Sequence, residues 1–358
     1  MSLGPILVTG GCGFVGYHIV KQLLEDSAFS SVHVVSRNPK SNRLPRAIYH
    51  AADITNLVSL RDLLEHIKPR TIIHVASPGA TDTHGDEKAL YQAVVTGTKN
   101  LLSCAAAQQV QAFVYTSSVL VMAGRSFENC TEDYPLLTQS SRGSADPYSV
   151  TKAIADKAVL DANNPNGMRT VCLRPPGMYG ERDNQAIPGA LEVLRDGRHR
   201  MQVGDNTAVC DWCSVENCAI AHILAAKALL SRKPGVDGEA FFITDDAQIP
   251  FWDFMRLIWI AAGDFTPPSE ITVLPAWFVI GLASITEWMY WIFSLGRKRP
   301  KFFRRMLMEH SCLPRSYSIV KARERLGFVP RNSMRENVEK GVAWSQKEYA
   351  EKVGGKKS

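Results

Sequence analysis

The strongest constraint on this chain is its first short apolar run, Ile6–Thr9, which ends in Thr9-Gly-Gly-Cys-Gly-Phe-Val-Gly16. Gly10, Gly13 and Gly16 form G-x-x-G-x-x-G where a strand must turn directly into a helix. That junction needs a tight bend, close approach of backbone to a pyrophosphate, and close helix–strand packing, all easiest without a Cβ. The helix would begin at Phe14 and Val15, with free N-terminal amides for phosphate. A glycine triplet alone means little, but between an N-terminal strand and an amphipathic helix it points to dinucleotide binding. A ligand-free glycine turn is the competing reading.

The first half continues as short apolar runs alternating with helical patterns. Strands are expected at Ile6–Thr9, Val32–Ser36, Ala47–Ala51, Thr71–Val75, Ala112–Thr116 and Thr170–Leu173. Helices are expected at Val15–Leu24, Leu57–Ile67, Tyr91–Ala107 and Val150–Asp161. This alternation predicts an α/β chain with a doubly wound parallel sheet of the Rossmann type, covered on both faces. After Arg174 the pattern becomes irregular, with a further helix at Val215–Leu230 and strand at Ala240–Thr244. At 358 residues two domains are expected. These are a nucleotide-binding domain over 1–180, to which 206–245 returns, and a smaller, mainly substrate-binding lobe over 181–358. The tail Gly354–Ser358 is expected to fray.

Composition excludes several classes. Hydrophobic residues at 45% and charged residues at 21% rule out a wholly disordered chain. A net charge of +6 is too mild to argue for nucleic acid. Eight cysteines at this length make no disulfide framework. Met1–Pro5 lacks a basic region and the next apolar run is broken by glycines, so it reads as a strand and not a signal peptide. A reducing, cytosol-facing compartment follows.

The segment Leu274–Leu295 stands apart: nearly all apolar or aromatic, with Glu287 its only charge, and followed by a basic run from Arg297 to Arg305. About 20 apolar residues can cross a bilayer, and flanking Lys and Arg suit an anionic membrane edge. Glu287 and the aromatics Trp277, Trp288, Tyr290 and Trp291 suit an interface better than a bilayer centre. Membrane association is the favoured reading, with monotopic attachment and a single span both open. A helix packed on the smaller lobe is the alternative.

The second strand runs into Ser36-Arg37-Asn38-Pro39 without the acid that a ribose 2′-hydroxyl usually meets. Arg37 can pair with a 2′-phosphate, so NADP is favoured over NAD. The competing role is a solvated turn residue stacking on adenine. Asp53-Ile54 follows the third strand; Asp53 either accepts from the adenine amino group or caps the next helix. His74-Val-Ala-Ser77 ends the fourth strand, and small Ala76 and Ser77 let backbone pass close to the cofactor. His74 reads as a satisfied core histidine before a catalyst.

The sharpest constellation is Thr116-Ser117-Ser118 at the end of the fifth strand, then Tyr148-Ser-Val-Thr-Lys152. Tyr148 and Lys152 lie four apart, on one helix face. A nearby ammonium, and the charge of an oxidised nicotinamide, favour tyrosinate. Tyr148 can then take the proton of a substrate hydroxyl as hydride leaves. A serine hydroxyl at the strand end can hold the substrate oxygen.

With these residues the chain resembles the extended short-chain dehydrogenases/reductases, and more narrowly the 3β-hydroxysteroid dehydrogenase family, including its sterol-4α-carboxylate 3-dehydrogenases. The motifs are Thr9–Gly16, Val114-Tyr-Thr-Ser-Ser118, Thr131-Glu-Asp-Tyr-Pro135, Tyr148 with Lys152, and Leu173-Arg-Pro-Pro-Gly-Met-Tyr-Gly180. They continue through Asp211–His222, Asp237–Thr244, Phe251–Phe254 and Ala322–Pro330. The resemblance implies Ser118, Tyr148 and Lys152 as the catalytic trio, with Ser117 as an adjacent substitute for Ser118, and Lys152 also holding the nicotinamide ribose. It implies a cofactor site of Gly10, Gly13, Phe14, Val15, Gly16, Arg37, Asp53, Ile54, Ala76, Ser77, Tyr148, Lys152 and Pro175. Membrane-associated members carry an apolar segment like 274–295, which implies attachment to the endoplasmic reticulum. Two departures stand out: the second-strand acid is missing, and Val94 replaces the Asn of the usual N-V-x-G-T, which often supports a water or hydrogen-bond relay.

The expected activity is NAD(P)-dependent oxidation of a secondary, 3β-like hydroxyl on a sterol or terpenoid, with decarboxylation where a carboxylate lies β to the new ketone. A dihydroflavonol-type ketone reductase or nucleotide-sugar epimerase is the alternative, and a non-catalytic cofactor-binding protein the third. The expected partners are a hydrophobic small molecule and a membrane surface, with a homodimer also admitted. Cys210, Cys213 and Cys218 lack a fourth ligand at metal spacing, so no metal is expected. Arg174 and Tyr179 either contact ligand or, for Arg174, anchor the loop; His222 is expected to be structural.

Overall fold

The structure is a computed structural model in which residues 2–79, 86–142, 145–293 and 305–354 are described. Seven parallel strands form the main sheet: β1 Pro5–Thr9, β2 Ser31–Ser36, β3 Ile48–Ala51, β4 Thr71–His74, β5 Ala112–Thr116, β6 Arg169–Arg174 and β7 Glu239–Phe242. Their order is β7-β6-β5-β4-β1-β2-β3. The order reverses between β1 and β4, so the carboxyl ends of those strands open the crevice in which such sheets bind ligands. Strands β1, β4, β5 and β6 are almost wholly buried, which explains their unbroken apolar runs.

Helices cover both faces. On one, α1 Phe14–Glu25 packs on the late helix α7 Val215–Leu230; on the other lie α2 Leu57–Ile67, α4 Gly97–Ala107 and α5 Pro147–Asp161. A short helix α3, Glu87–Tyr91, leads into α4 through a π-turn, Gln92–Thr96. The continuous helix expected over Tyr91–Ala107 is therefore wider at its start. Apolar periodicity reports a helix but does not register one inserted residue per turn. Gly97 follows that turn because any Cβ there would meet the Ile54 side chain at 2.7 Å.

The chain crosses between layers after β6. Helices α6 Ala186–Arg195, α8 Phe251–Ala261 and α11 Met334–Gly354 enclose a second core around Trp212, Phe254, Ile258, Val338 and Val342. Trp212 and Phe254 stack with ring centroids 3.8 Å apart. Each such aromatic contributes roughly 2–3 kcal/mol of burial. Between α7 and α8 the chain returns to the main sheet as β7, pairing with β6 from Glu239↔Val171 to Phe242↔Arg174.

The apolar segment begins as a strand, Thr272–Leu274, and becomes helix α9, Ala276–Phe293, only after Pro275. Proline suits the entry to a helix, since an amide there has no partner inside it. Only Val279 and Ala283 of α9 are buried, while Trp277 is 77%, Trp288 64% and Trp291 61% exposed. The helix is thus not buried in a core, although the face of Val279 and Ala283 packs on the protein. The short helix α10, Arg305–His310, packs against α9, and the backbone N–H of Arg305 donates to Glu287 (3.0 Å). Ser294, Leu295 and most of the basic run, residues 294–304, lie outside the described residues, as do 355–358 of the tail.

Candidate active site

The glycine loop fits a dinucleotide phosphate. Gly10 has φ +73°, and a Cβ there would lie 2.8 Å from the Ala76 backbone. A Cβ on Gly16 would lie 2.2 Å from the Gly10 carbonyl oxygen. These positions admit only glycine without displacing backbone. Gly13 caps α1 without a side-chain hydrogen bond, and the first turn carries no acid. Phe14 and Val15 therefore open a helix whose N-terminal dipole and amides face an anion site with no competing carboxylate.

Around this loop the expected cofactor residues fall at the sheet's carboxyl edge. Arg37 is exposed just past β2 and lies within electrostatic reach of Asp53. Asp53 accepts from the Thr55 amide and hydroxyl, both at 2.8 Å. The amide bond, chiefly, holds its carboxyl below the usual range. The alternative of Asp53 as helix cap is overturned: Asn56 caps α2, accepting from Ser59 N–H (3.1 Å). The sequence D-x-x-N offered two capping side chains, and the one adjoining the helix took the role. Ile54 is held by Asn100, whose amide donates to the carbonyls of Ile54 (3.2 Å) and Thr55 (3.1 Å). Ser77 donates to the Pro78 carbonyl (3.0 Å).

The three expected catalytic side chains come from two elements. Asp146 caps α5 and Pro147 opens it, so Tyr148 stands in its first turn and Lys152 one turn further. Ser118 caps a short 3-10 turn, its hydroxyl accepting from Leu120 N–H (3.1 Å). Val119 N–H donates to the Pro175 carbonyl (3.1 Å) and Ser117 N–H to the Leu173 carbonyl (2.7 Å), pinning this turn beside the end of β6. Ser117 differs from Ser118: it is buried, and its hydroxyl has no hydrogen-bond partner among the described residues.

Lys152 is buried and donates to the Thr116 carbonyl (2.7 Å) and the Tyr115 hydroxyl (3.3 Å). Burial pulls its ammonium down to about 8, against the raising influence of Asp156 and Cys172. Asp156 is itself paired with Arg174 by two bonds, at 2.7 and 3.0 Å, with both side chains buried. Arg174 thus anchors the strand end and is spent on this pair. Tyr179 is buried, its hydroxyl donating to Asp245 (2.6 Å). His222 is buried between the Cys218 carbonyl and the Thr116 hydroxyl, each at 2.7 Å. Sequence reading missed Tyr115, Thr98 and Asp156. The Y-x-x-x-K-x-x-x-D spacing on one helix face was the available signal for Asp156.

Residues 7–275 match the 3-beta hydroxysteroid dehydrogenase/isomerase family. The chain is 32% identical over 358 residues to the sterol-4-alpha-carboxylate 3-dehydrogenase, decarboxylating, of Saccharomyces cerevisiae, covering 96% of this chain and 98% of the yeast protein. It is 30% identical over 337 residues to the human enzyme of that name, covering 94% of this chain and 86% of the human one. Among solved structures, it is similar to UDP-glucose 4-epimerase of Thermotoga maritima (TM-score 0.71, 19% identity, 96% of this chain and 99% of that one). It is equally similar to the NAD complex of UDP-glucuronic acid 4-epimerase of Bacillus cereus (TM-score 0.70, 21% identity, 96% and 99%). At these identities the likeness to epimerases is one of fold. The chain belongs to the 3-beta hydroxysteroid dehydrogenase/isomerase family and is an NAD(P)-dependent dehydrogenase.

Proposed function

We propose that the protein oxidises the 3-hydroxyl of a sterol bearing a carboxylate on the neighbouring carbon, and that the ketone so formed loses that carboxylate as carbon dioxide. The observation that carries this reading is the match, along nearly the whole of both chains, to decarboxylating sterol-4-alpha-carboxylate 3-dehydrogenases. When bound, NAD(P)+ supplies the hydride acceptor. Tyr148 takes the hydroxyl proton, Ser118 holds the substrate oxygen, and the Lys152 ammonium one turn away favours the ionised tyrosine. The ketone then draws the electron pair of the breaking carbon–carboxylate bond onto its oxygen, and a proton returns to carbon. The lobe beyond residue 181 holds the sterol.

NADP is the preferred cofactor in this reading. Arg37 stands where an acid would meet a 2′-hydroxyl, and Arg43, stacked on Tyr49 at 4.7 Å, adds a second guanidinium near the glycine loop. Arg37→Ala then lowers the NADP/NAD ratio of kcat/KM; an unchanged ratio refutes the preference.

The protein attaches to the cytosolic face of the endoplasmic reticulum through α9, lying in the interface and not crossing it. Val279, Ala283 and Glu287 are spaced by four on one face, and Glu287 is engaged by the start of α10. The opposite face offers Trp, Met, Ile and Phe side chains to lipid. A membrane-dissolved sterol would then be close at hand.

The test is reduced-nicotinamide absorbance with purified protein, NAD or NADP, and a panel of 4-carboxysterols, 3β-hydroxysteroids, flavonoids and UDP-sugars. Turnover of a 4-carboxysterol with release of carbon dioxide, absent in Tyr148→Phe, is expected. Turnover of UDP-sugars or flavonoids alone overturns the reading.

A further inference from the structure

The Lys152 ammonium sits in a setting that ought to discharge it. Facing it are Tyr148 and Asp156 from α5, Tyr115 and Thr116 from β5, Cys172 from β6 and His74 from β4. The Asp156 charge favours the ammonium from a distance but makes no hydrogen bond to it. Asp156 is already held by Arg174. Burial pushes the Tyr115 phenol and the Cys172 thiol well up, and pulls the His74 imidazole down to about 3, so all three are neutral at working pH. Among the described residues the two partners within hydrogen-bond reach of the ammonium are the Thr116 carbonyl and the Tyr115 hydroxyl.

The Tyr115 ring lies beside His74, ring centroids 5.4 Å apart, and His74 belongs to a buried chain of hydrogen bonds. Thr98 donates to the Val94 carbonyl inside the π-turn (2.5 Å). Its oxygen must then accept from His74 Nε2 (3.0 Å), which makes Nδ1 the acceptor of the Thr9 hydroxyl (2.6 Å). The Tyr115 hydroxyl accepts from the Lys152 ammonium, so a lone pair of its oxygen faces that nitrogen. Every member of this chain is satisfied by that one assignment of hydrogens. The chain ends at the backbone of the residue where the usual Asn is replaced by Val94.

We propose that Tyr115 is a positioning residue for Lys152: held on a buried strand with its ring beside His74, its hydroxyl accepts from the ammonium and keeps it aimed at the site. The proposal rests on the reading of Lys152 as the catalytic lysine. Tyr115→Phe keeps the ring, which lies 4.7 Å from the Lys152 nitrogen, and removes only the acceptor.

The direct test follows Lys152 in the cofactor-free full-length protein, by pH-dependent acetic anhydride labelling read by mass spectrometry. Loss of a hydrogen bond to a charged group changes an ionisation equilibrium on the order of tenfold, so Tyr115→Phe should label half-maximally about one pH unit lower. The kinetic counterpart is a kcat lower by about tenfold at pH 8. The alkaline limb should begin at lower pH, and the Kd for reduced cofactor, read by nicotinamide fluorescence, should stay within about twofold. Should Tyr115→Phe not fold, Tyr115→Met, which also lacks the hydroxyl, must move the same labelling midpoint downward. An unmoved midpoint in the folded variants, or a rate loss equal at every pH, overturns the proposal. Retained turnover in Tyr148→Phe would instead sink the catalytic reading beneath it, while leaving the labelling result intact.

Discussion

Helices α5 and α9 break the ordinary division between inside and outside in opposite ways. Helix α5 buries Ser149, Thr151, Lys152 and Asp156 among its apolar residues. Helix α9 leaves most of its hydrocarbon exposed and buries only Val279 and Ala283. A buried polar group costs stability unless paired, and an exposed apolar stripe attracts a partner. The polar groups of α5 are paired: Lys152 on two oxygens, Asp156 on Arg174, Thr151 on the Pro147 carbonyl (3.0 Å). On the attachment proposed above, the exposed side chains of α9 gain their burial from lipid. Substitutions should then register in folding for α5 and in membrane binding for α9.

The largest effect is expected from Asp156→Ala. It strands the Arg174 guanidinium in the core and should cost about 3–5 kcal/mol in denaturant unfolding. A loss under about 1 kcal/mol would show that water reaches the pair and would erase the contrast. Next comes acid. His74 is held neutral by burial with its ionisation near 3, below its ordinary 6.5. The unfolded chain therefore takes up a proton that the folded one refuses. Stability is full above pH 6.5 and falls as pH drops from there toward 3, by about 1.4 kcal/mol per pH unit for this one group. His74→Gln should flatten that slope by up to one proton, and an unaltered slope would locate the acid sensitivity elsewhere. Asn56→Ala, on an ordinary exposed cap, should cost only about 1 kcal/mol, which gives the scale for a helix obeying the usual division. Smallest in stability is Trp277, Trp288 and Trp291 all changed to Ser. The unfolding midpoint should hold while co-sedimentation with anionic vesicles falls by at least about tenfold. A sharp drop in the midpoint would make α9 a structural helix after all.

The same division explains what could be read without coordinates. The strands and the glycine loop were legible because fully buried parallel strands and phosphate turns need particular residues at particular spacing. β5 begins and ends where expected, and so do α2 and α7. Family motifs carried the expectation for Ser118, Tyr148 and Lys152 as well. The partners of buried polar groups were not legible. Asp156 meets Arg174 from 18 residues away, and Tyr179 meets Asp245 from 66. Periodicity says that a side chain faces inward, not whom it meets. Tyr115 illustrates this: within an apolar strand it reads as one more core aromatic, and only the approach of α5 to β5 brings its hydroxyl to Lys152.

The return of the chain as β7 sets a timetable. Strand β6 ends at Arg174, all six of its residues are buried, and its outer neighbour ends only at Phe242. A ribosome adding roughly 5–20 residues per second delivers that neighbour about 3–14 s later. For that interval the nascent nucleotide-binding half presents an open, apolar sheet edge, the kind of edge that recruits foreign strands. The second lobe's first segments are made during the wait, so the nascent chain must keep β6 sheltered until its own later strand arrives.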